Sequence, residues 1–233
     1  MKFHDFNLKG TNYKSDLILL KEAKNLGWDY VKLNYDLKNY KKALKYSNDL
    51  KNKTDLTFDL GLKVKTTKGD ELNRQIRKNR QEIKYITVQG GSDKINRQAV
   101  ENVKIDSLNR TYYKRRDCGL NQVLSKEAVK NNIAIELTIK DILTNHLSYR
   151  ARIIDYYKEI IKLHRKFKFP LLLTTGATNI YDIKSPKDSI AIFKSIGLTN
   201  NEIEEGFNKT PLNIIDFNNK RKDMIIQGVR RIK

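Results

Sequence analysis

Short segments of β-strand character alternate with segments of helical periodicity along the whole chain. The predicted strands are rich in β-branched, aromatic or alternating apolar residues. They cover 3–7, 28–34, 57–65, 84–89, 103–105, 133–138 and 170–174. The alternation repeats about seven or eight times at a spacing of about 30 residues, the size of one strand–helix unit. A TIM-like barrel and a doubly wound parallel sheet both fit, and the repeat count favours the barrel.

Helices are predicted between these strands, and several of their ends carry capping signals. Ser15 is a predicted N-cap, Ser185 precedes a proline at the first helical position, and Thr199 begins a capping box. The periodic segments are 39–50, 70–80, 95–102, a helix to about Lys130, 147–167 and a helix beginning at 210. No linker, internal repeat or low-complexity segment interrupts the pattern, so we expect a single domain over residues 1–233.

The charge of the chain is its strongest compositional signal. Lysine and arginine total 47 against 27 acids, a formal net charge of +20. Such a surface favours a polyanionic partner, either nucleic acid or an anionic membrane. A lysine-rich, AT-driven codon bias is the alternative explanation.

Neither end of the chain nor its interior predicts export or membrane insertion. No apolar run approaches the roughly 18 residues that span a bilayer, and the N-terminus lacks the apolar core of a signal peptide. We therefore expect a cytoplasmic protein without a membrane partner. The lone Cys118 excludes a disulfide framework within the chain, and we expect it to be a small residue at a helix start.

Few side chains suited to catalysis fall where a barrel enzyme would carry them, at the C-terminal ends of the strands. The candidates are His4, Asp5, Asp59 and Glu136. No His-x-His pair, glycine-rich nucleotide loop or nucleophile elbow accompanies them. We predict no catalytic residue and no metal site. A metal-dependent phosphoesterase that uses these four residues is the alternative.

Basic residues are concentrated between Gly61 and Arg116, where fifteen lysines or arginines face six acids. The arginines of this region are Arg74, Arg77, Arg80, Arg97, Arg110, Arg115 and Arg116. Arginine can bind phosphate through two parallel hydrogen bonds, which lysine cannot. Tyr112 and Tyr113 stand beside the densest group. They could stack on RNA bases or be residues of the barrel wall.

The segment Arg115–Ala128 reads RRDCGLNQVLSKEA and is followed by a strand that opens Ile-Ala. Three later segments carry further motifs: RKFKFP at 165–170, TTGA at 174–177 and YDIKSPKD at 181–188. In this order the segments resemble archaeal ribonuclease P protein component 3, the counterpart of the eukaryotic 30-kilodalton subunit of ribonuclease P. The resemblance is specific in the second half of the chain, and the first half matches in pattern and length.

The resemblance implies a TIM-like barrel related to the polymerase-and-histidinol-phosphatase superfamily. It also implies a subunit of the ribonucleoprotein endonuclease that removes 5′ leaders from precursor tRNA. In that family the RNA carries the catalysis with Mg²⁺ held mainly by RNA, so we expect no cofactor on the protein and no activity of the isolated chain. The implied partners are the ribonuclease P RNA, protein component 2 and precursor tRNA. A scaffold subunit that touches no RNA is a further alternative.

The resemblance and the basic clusters together give the predicted RNA-binding residues. These are Lys94, Arg97, Lys114, Arg115, Arg116, Gln122, Lys184 and Lys187. The family often has histidine at the place of Gln122 and arginine at those of Lys184 and Lys187. We expect Asp117 to cap the following helix and to hold the neighbouring arginines, and the cations to lie at the N-terminus of that helix, which favours anions.

Overall fold

The computed structural model describes residues 2–221, 224–226 and 229–230, and a parallel sheet of seven strands forms its centre. The strands follow one another in chain order and curl into a nearly closed barrel, which confirms the predicted TIM-like fold. They are β1 His4–Lys9, β2 Tyr30–Tyr35, β3 Thr57–Val64, β4 Ile86–Gln89, β5 Ser107–Asn109, β6 Ala134–Thr138 and β7 Leu171–Thr174.

Helices connect the strands and cover the outside of the barrel. They are α1 Tyr13–Asn25, α2 Leu37–Asn52, α3 Gly69–Asn79, α4 Asp93–Glu101, α5 Gln122–Lys130, α6 Ile139–Leu143, α7 Leu147–Phe167, α8 Pro186–Ile196, α9 Asn200–Glu204 and α10 Thr210–Lys220. A π-helical segment, Glu205–Lys209, joins α9 to α10, and β8 Met224–Ile226 pairs antiparallel with β9 Val229–Arg230. No helix in these described ranges combines the length and the apolar character needed to cross a bilayer.

The first and last strands of the barrel are joined by a short seam rather than a full ladder. The Lys9 backbone N–H donates to the Ala177 carbonyl at 2.8 Å. The Asp5 carboxylate accepts from the Thr175 backbone N–H at 3.1 Å and from the Thr175 hydroxyl. The π-helical segment lies against this seam, where a Cβ on Gly206 would stand 2.4 Å from the Leu173 side chain. This close approach explains the glycine at that position.

Apolar side chains surround the buried Lys32 at the N-terminal end of the barrel, which α10 closes. The interior cluster comprises Phe6, Tyr30, Tyr85, Ala134, Leu172 and Ile214, the last contributed by α10. A buried network holds the helix in place: the Arg80 guanidinium pairs with Asp106 at 2.6 Å and donates to Asn218 of α10 at 2.5 Å. Because an unpaired buried guanidinium would be costly, this network fixes the position of α10.

A second, larger core lies between the strands and the surrounding helices. Trp28 packs on Phe207, which also contacts Phe193, so α8 and the π-helical segment share one aromatic cluster. Burial of each such side chain contributes about 1.5–3 kcal/mol of stability. Two leucines of the periodic segments predicted as helices do not join this core: Leu44 is 51% exposed and Leu147 is 90% exposed. Both follow helical spacing but lie on the solvent side of their helices.

Most predicted elements agree with the structure to within a few residues, and two predictions were wrong. The strand predicted at 103–105 lies instead at Ser107–Asn109, which is β5. Residues 103–105 form a turn after α4, in which the Ile105 N–H donates to the Asn102 carbonyl. The N-cap of α1 is Asn12, whose side chain accepts from the Ser15 backbone N–H, and not Ser15. The capping box at Thr199, the proline-started α8 and the span of α7 are confirmed.

Candidate nucleic-acid interface

The loop between β5 and α5 comprises residues 110–121 and contains the RRDCGLN motif at 115–121, so we name it the signature loop. Three of its residues have positive φ: Arg110 at 51°, Lys114 at 59° and Gly119 at 72°. A Cβ on Gly119 would lie 2.1 Å from the Thr111 carbonyl oxygen, so only glycine fits there. The loop therefore has a defined fold that presents its cations in fixed positions.

Asn96 of α4 holds this loop from beneath. Its side-chain amide donates to the carbonyls of Thr111, at 2.9 Å, and Gly119, at 2.8 Å. Its carbonyl oxygen accepts from the Gly91 backbone N–H at 3.0 Å. The side chain is fully buried, so these bonds satisfy groups that water cannot reach. No sequence pattern singles out Asn96, because one polar residue in a short helix is not distinctive.

Arg115 is the most constrained cation of the loop. Its guanidinium bonds both carboxylate oxygens of Asp117, at 2.6 and 2.7 Å, and also pairs with Asp93 of α4 at 2.9 Å. The hydrogen bonds that Arg115 donates to Asp117 raise the pKa of Arg115, and only 16% of the Arg115 side chain is exposed. Two acids thus neutralise its charge, and it fastens the loop to α4.

Asp117 is not the helix cap that we predicted. The N-cap of α5 is Asn121, which accepts from the Leu124 backbone N–H, whereas Asp117 accepts from the Gly119 N–H at 2.8 Å. The expectation that Asp117 holds a neighbouring arginine is confirmed for Arg115. The hydrogen bond that Arg115 donates lowers the pKa of the Asp117 carboxyl. The cations precede α5 by several residues, so their placement at its N-terminus was wrong as well.

Cys118 lies buried inside the loop and not at a helix start. Its thiol contacts the Leu120 carbonyl at 3.3 Å, and burial raises its pKa to about 11. A thiol with this pKa holds almost no thiolate at neutral pH. Cys118 is therefore a packing residue of the loop.

The two tyrosines beside the cations have different environments. Tyr112 is buried, and its hydroxyl bonds Asp141 and Tyr157, so it belongs to the wall of the barrel. Tyr113 is half-buried, with the Arg110 guanidinium 4.9 Å and the Lys114 ammonium 5.7 Å from its ring centre. Only Tyr113 keeps the exposure that stacking on a base requires.

Six of the eight predicted RNA-binding residues lie on α4, in the signature loop or at the start of α5. Lys94, Lys114, Arg116 and Gln122 are exposed there. Arg97 is exposed too, but its guanidinium pairs with Glu101 on the same helix at 2.8 Å. The Asp93–Arg115 ion pair connects α4 to the loop, so these residues form one surface.

Lys184 and Lys187 lie elsewhere, at the start of α8. The Lys184 carbonyl accepts from the Trp28 indole N–H at 3.0 Å, and Lys187 lines a groove with Phe3, Leu26 and Gly27. In the described ranges no hydrogen bond or ion pair joins them to the signature loop. The predicted residues therefore form two separate groups.

The residues of the phosphoesterase alternative do not converge. The His4 ring bonds the Phe207 carbonyl at 3.0 Å, and Asp5 lies in the barrel seam. Asp59 accepts from the Tyr30 hydroxyl at 2.6 Å, while Glu136 accepts from Thr174 at 2.8 Å. No cluster of three or more His, Cys, Asp or Glu side chains that could hold a metal ion occurs among the residues described. The geometry does not support this alternative.

Nearly the whole chain is similar to one known family. Residues 2–223 match the family model described as RNase P subunit p30. The chain belongs to this family. Ribonuclease P protein component 3 of Methanothermobacter thermautotrophicus is 38% identical, covering 99% of this chain and 95% of the relative. The protein of the same name from Methanocaldococcus jannaschii is 32% identical, with 94% of each covered.

Solved structures show the same relationship in three dimensions. One chain from a cryo-EM structure of archaeal ribonuclease P with mature tRNA superposes with a TM-score of 0.84 and 29% identity, over 98% of each chain. A putative 2-pyrone-4,6-dicarboxylic acid hydrolase from Pseudomonas putida superposes at 0.56 with 8% identity, over 93% of this chain and 98% of that one. The second likeness concerns the barrel fold alone.

The other motifs shared with the p30 family have structural roles here. Thr175 and Ala177 of the TTGA segment form the seam with β1. Asp182 of the YDIKSPKD segment accepts from Lys140 at 2.7 Å and from the Thr178 N–H at 3.1 Å, which closes the loop after β7. Arg165 of the RKFKFP segment pairs with Glu202 at 2.7 Å. Several residues of these motifs therefore stabilise the barrel fold.

Proposed function

We propose that this chain is a protein subunit of ribonuclease P, the ribonucleoprotein that cleaves 5′ leaders from precursor tRNA. The observation that carries the proposal is the family match over residues 2–223, together with the superposition on a chain of an archaeal ribonuclease P at a TM-score of 0.84. Its partners are the ribonuclease P RNA, precursor tRNA and the other protein subunits, protein component 2 among them. The cytoplasm is the compartment that we predict for this particle.

The surface made by α4, the signature loop and the start of α5 contacts the RNA backbone. Lys94, Lys114 and Arg116 are exposed there, and none of them forms an ion pair in the described part of the chain. Exposed cations release counterions from a nucleic acid when they bind its phosphates. Arg115 acts differently: since two carboxylates hold it, it positions its exposed neighbours. Tyr113 can add a stacking contact.

The protein leaves the chemistry of cleavage to the RNA. The buried acids Asp5 and Glu136 accept hydrogen bonds from threonines of β7 and its loop, and Asp59 faces the buried Lys32 at 3.8 Å. Carboxylates held in this way support the fold and do not face a substrate. Mg²⁺ reaches the complex through the RNA subunit, and the isolated chain is inactive.

Reconstitution of the holoenzyme tests the RNA contacts. Lys114→Ala and Arg116→Ala should each weaken RNA binding and lower the slope of log affinity against log salt by about 0.7–0.9. Lys41→Ala with Lys45→Ala, which removes two exposed cations of α2, serves as the matched control and should leave the slope unchanged.

The double variant Arg115→Ala with Arg116→Ala decides the proposal for the loop. Cleavage of precursor tRNA should then require more Mg²⁺ than the wild type does. Full activity at low Mg²⁺ with an unchanged salt slope would contradict an RNA contact here. Crosslinking of the wild-type chain to RNA separates a contact from a scaffold role, which would give no crosslink.

A further inference from the structure

A second basic surface lies beside the signature loop, in the groove between α3 and α4. Two adjoining depressions of about 400 Å³ each form this α3–α4 groove. They share Asp70 and Arg74. The remaining lining residues are Asn73, Arg77, Asn102 and Lys104 in one, and Thr67, Lys68, Gly69, Glu71 and Lys94 in the other. Five cations and two acids therefore line one continuous concave surface.

The arginines of the groove differ from most of their neighbours in sequence. Among the arginines between Gly61 and Arg116, Arg80 is buried against Asp106, and Arg97, Arg110 and Arg115 each hold an acid. Arg74 and Arg77 are exposed and take part in no ion pair within the described ranges. A guanidinium that supports the fold is matched by a carboxylate, whereas a free one retains its donors for phosphate.

The two acids of the groove offset only part of the charge of its five cations. Glu71 accepts from the Thr66 hydroxyl at 2.6 Å and from the Gln75 amide at 3.0 Å. The Thr66 bond lowers the pKa of Glu71. Asp70 and Glu71 both lie in the first turn of α3, where negative charge stabilises the helix dipole. The groove thus keeps a net positive charge.

The groove continues the surface that carries the signature loop. Lys94 lines it and follows Asp93, which pairs with Arg115 of the loop. At the other end are Asn102 and Lys104, beyond the end of α4. α3 alone spans about 16 Å at 1.5 Å per residue. This length is greater than the distance between neighbouring phosphates of one RNA strand, so the groove can contact more than one phosphate.

We propose that the α3–α4 groove binds an RNA phosphodiester backbone that continues from the signature loop, with Arg74 and Arg77 as its principal phosphate contacts. The proposal rests on the function proposed above. The backbone can belong to the ribonuclease P RNA or to precursor tRNA, because the phosphodiester chemistry is the same in both.

The test is Arg74→Gln with Arg77→Gln in the reconstituted holoenzyme. Binding of the ribonuclease P RNA and of precursor tRNA is measured separately over a range of salt concentrations. The slope for the RNA that occupies the groove should fall by about 1.4–1.8, the value for two lost phosphate contacts. Arg74→Lys with Arg77→Lys keeps the charge and should restore most of the slope. Thermal stability should not fall, since both side chains are exposed and form no ion pair in the described ranges.

The control removes the same charge from α2, by Lys41→Gln with Lys45→Gln, and should leave both slopes at their wild-type values. Equal slopes for the groove variant and this control would overturn the proposal. Loss of binding to protein component 2 with unchanged slopes would overturn it as well, since the groove would then be a protein contact. A wild-type chain that fails to assemble with the RNA would instead refute the proposed function, so the two failures are distinguishable.

Discussion

At the scale of single residues, Asp5 shows how an acid can serve the fold at an energetic cost. It is fully buried in the β1–β7 seam and accepts from the Asn7 and Thr175 backbone N–H groups and the Thr175 hydroxyl. Burial raises its pKa from 3.8 to about 6, although these hydrogen bonds oppose the shift. The folded chain therefore keeps the proton at a pH where the unfolded chain has lost it.

This shift predicts a definite dependence of stability on pH. Between about pH 4 and pH 6 the folded state binds more protons at Asp5 than the unfolded state does, so its contribution to stability falls as the pH rises. We expect the free energy of unfolding of the wild type, minus that of Asp5→Asn, to decrease by up to about 3 kcal/mol across this window. Urea titrations at several pH values measure this difference.

The control for this experiment is Asp155→Asn, at an exposed position of α7. The Asp155 side chain is 71% exposed, so this variant measures the effect of the same substitution without burial. A difference for Asp5→Asn that stays constant or rises with pH would show that Asp5 is ionised in the folded chain throughout the window.

At the scale of elements, the signature loop depends on α4 more than on the helix that follows it. Asn96 bonds three backbone groups of this region, and Arg115 reaches Asp93. Asn96→Ala would leave two buried carbonyls and an N–H without their partner. We expect a loss of about 2–4 kcal/mol in the free energy of unfolding, measured by thermal or urea denaturation.

The same variant connects loop structure to RNA binding. A distorted loop should reduce the affinity of the holoenzyme for RNA although no cation has been removed. Asn48→Ala, at an exposed position of α2, is the control and should change neither property. Unchanged stability together with normal RNA binding in Asn96→Ala would show that the loop holds its shape without α4.

Local patterns predicted the elements well because each rests on neighbouring residues. The capping box at Thr199 and the periodicity of α7 are local, and both were confirmed. The predicted position of β5 was wrong because the strand has only three residues and the preceding apolar residue Ile105 is equally buried. Such a short strand is defined by pairing with β4 and β6, which a local pattern cannot reveal.

The candidate site was predictable as a region but not residue by residue. The motif located the loop, and the charge count located the arginine-rich segment. Which arginines are matched by acids depends on contacts between elements, such as Arg115 with Asp93 and Arg80 with Asp106. Arg74 and Arg77 carry no motif, and only the absence of partners in the described structure distinguishes them.

At the scale of the whole molecule, the net charge of +20 acts on stability and on binding in opposite directions. Cations without acid partners repel one another in the free chain and destabilise the compact state. Salt screens this repulsion, because the Debye length falls from about 10 Å at 0.1 M to about 3 Å at 1 M. The same salt competes with the protein for RNA phosphates.

We therefore expect the unfolding midpoint of the free chain to rise as sodium chloride increases from about 0.05 M to about 0.5 M, while RNA affinity falls over the same range. Differential scanning fluorimetry measures the first quantity and fluorescence anisotropy the second. Sucrose, which is uncharged, is the control. It should raise the unfolding midpoint through its exclusion from the protein surface, without screening charges and without lowering the affinity for RNA. A midpoint that stays constant or falls with salt would mean that the cations are already compensated within the fold. In that case the net charge would be explained by the lysine-rich composition of the chain and not by a surface that binds RNA.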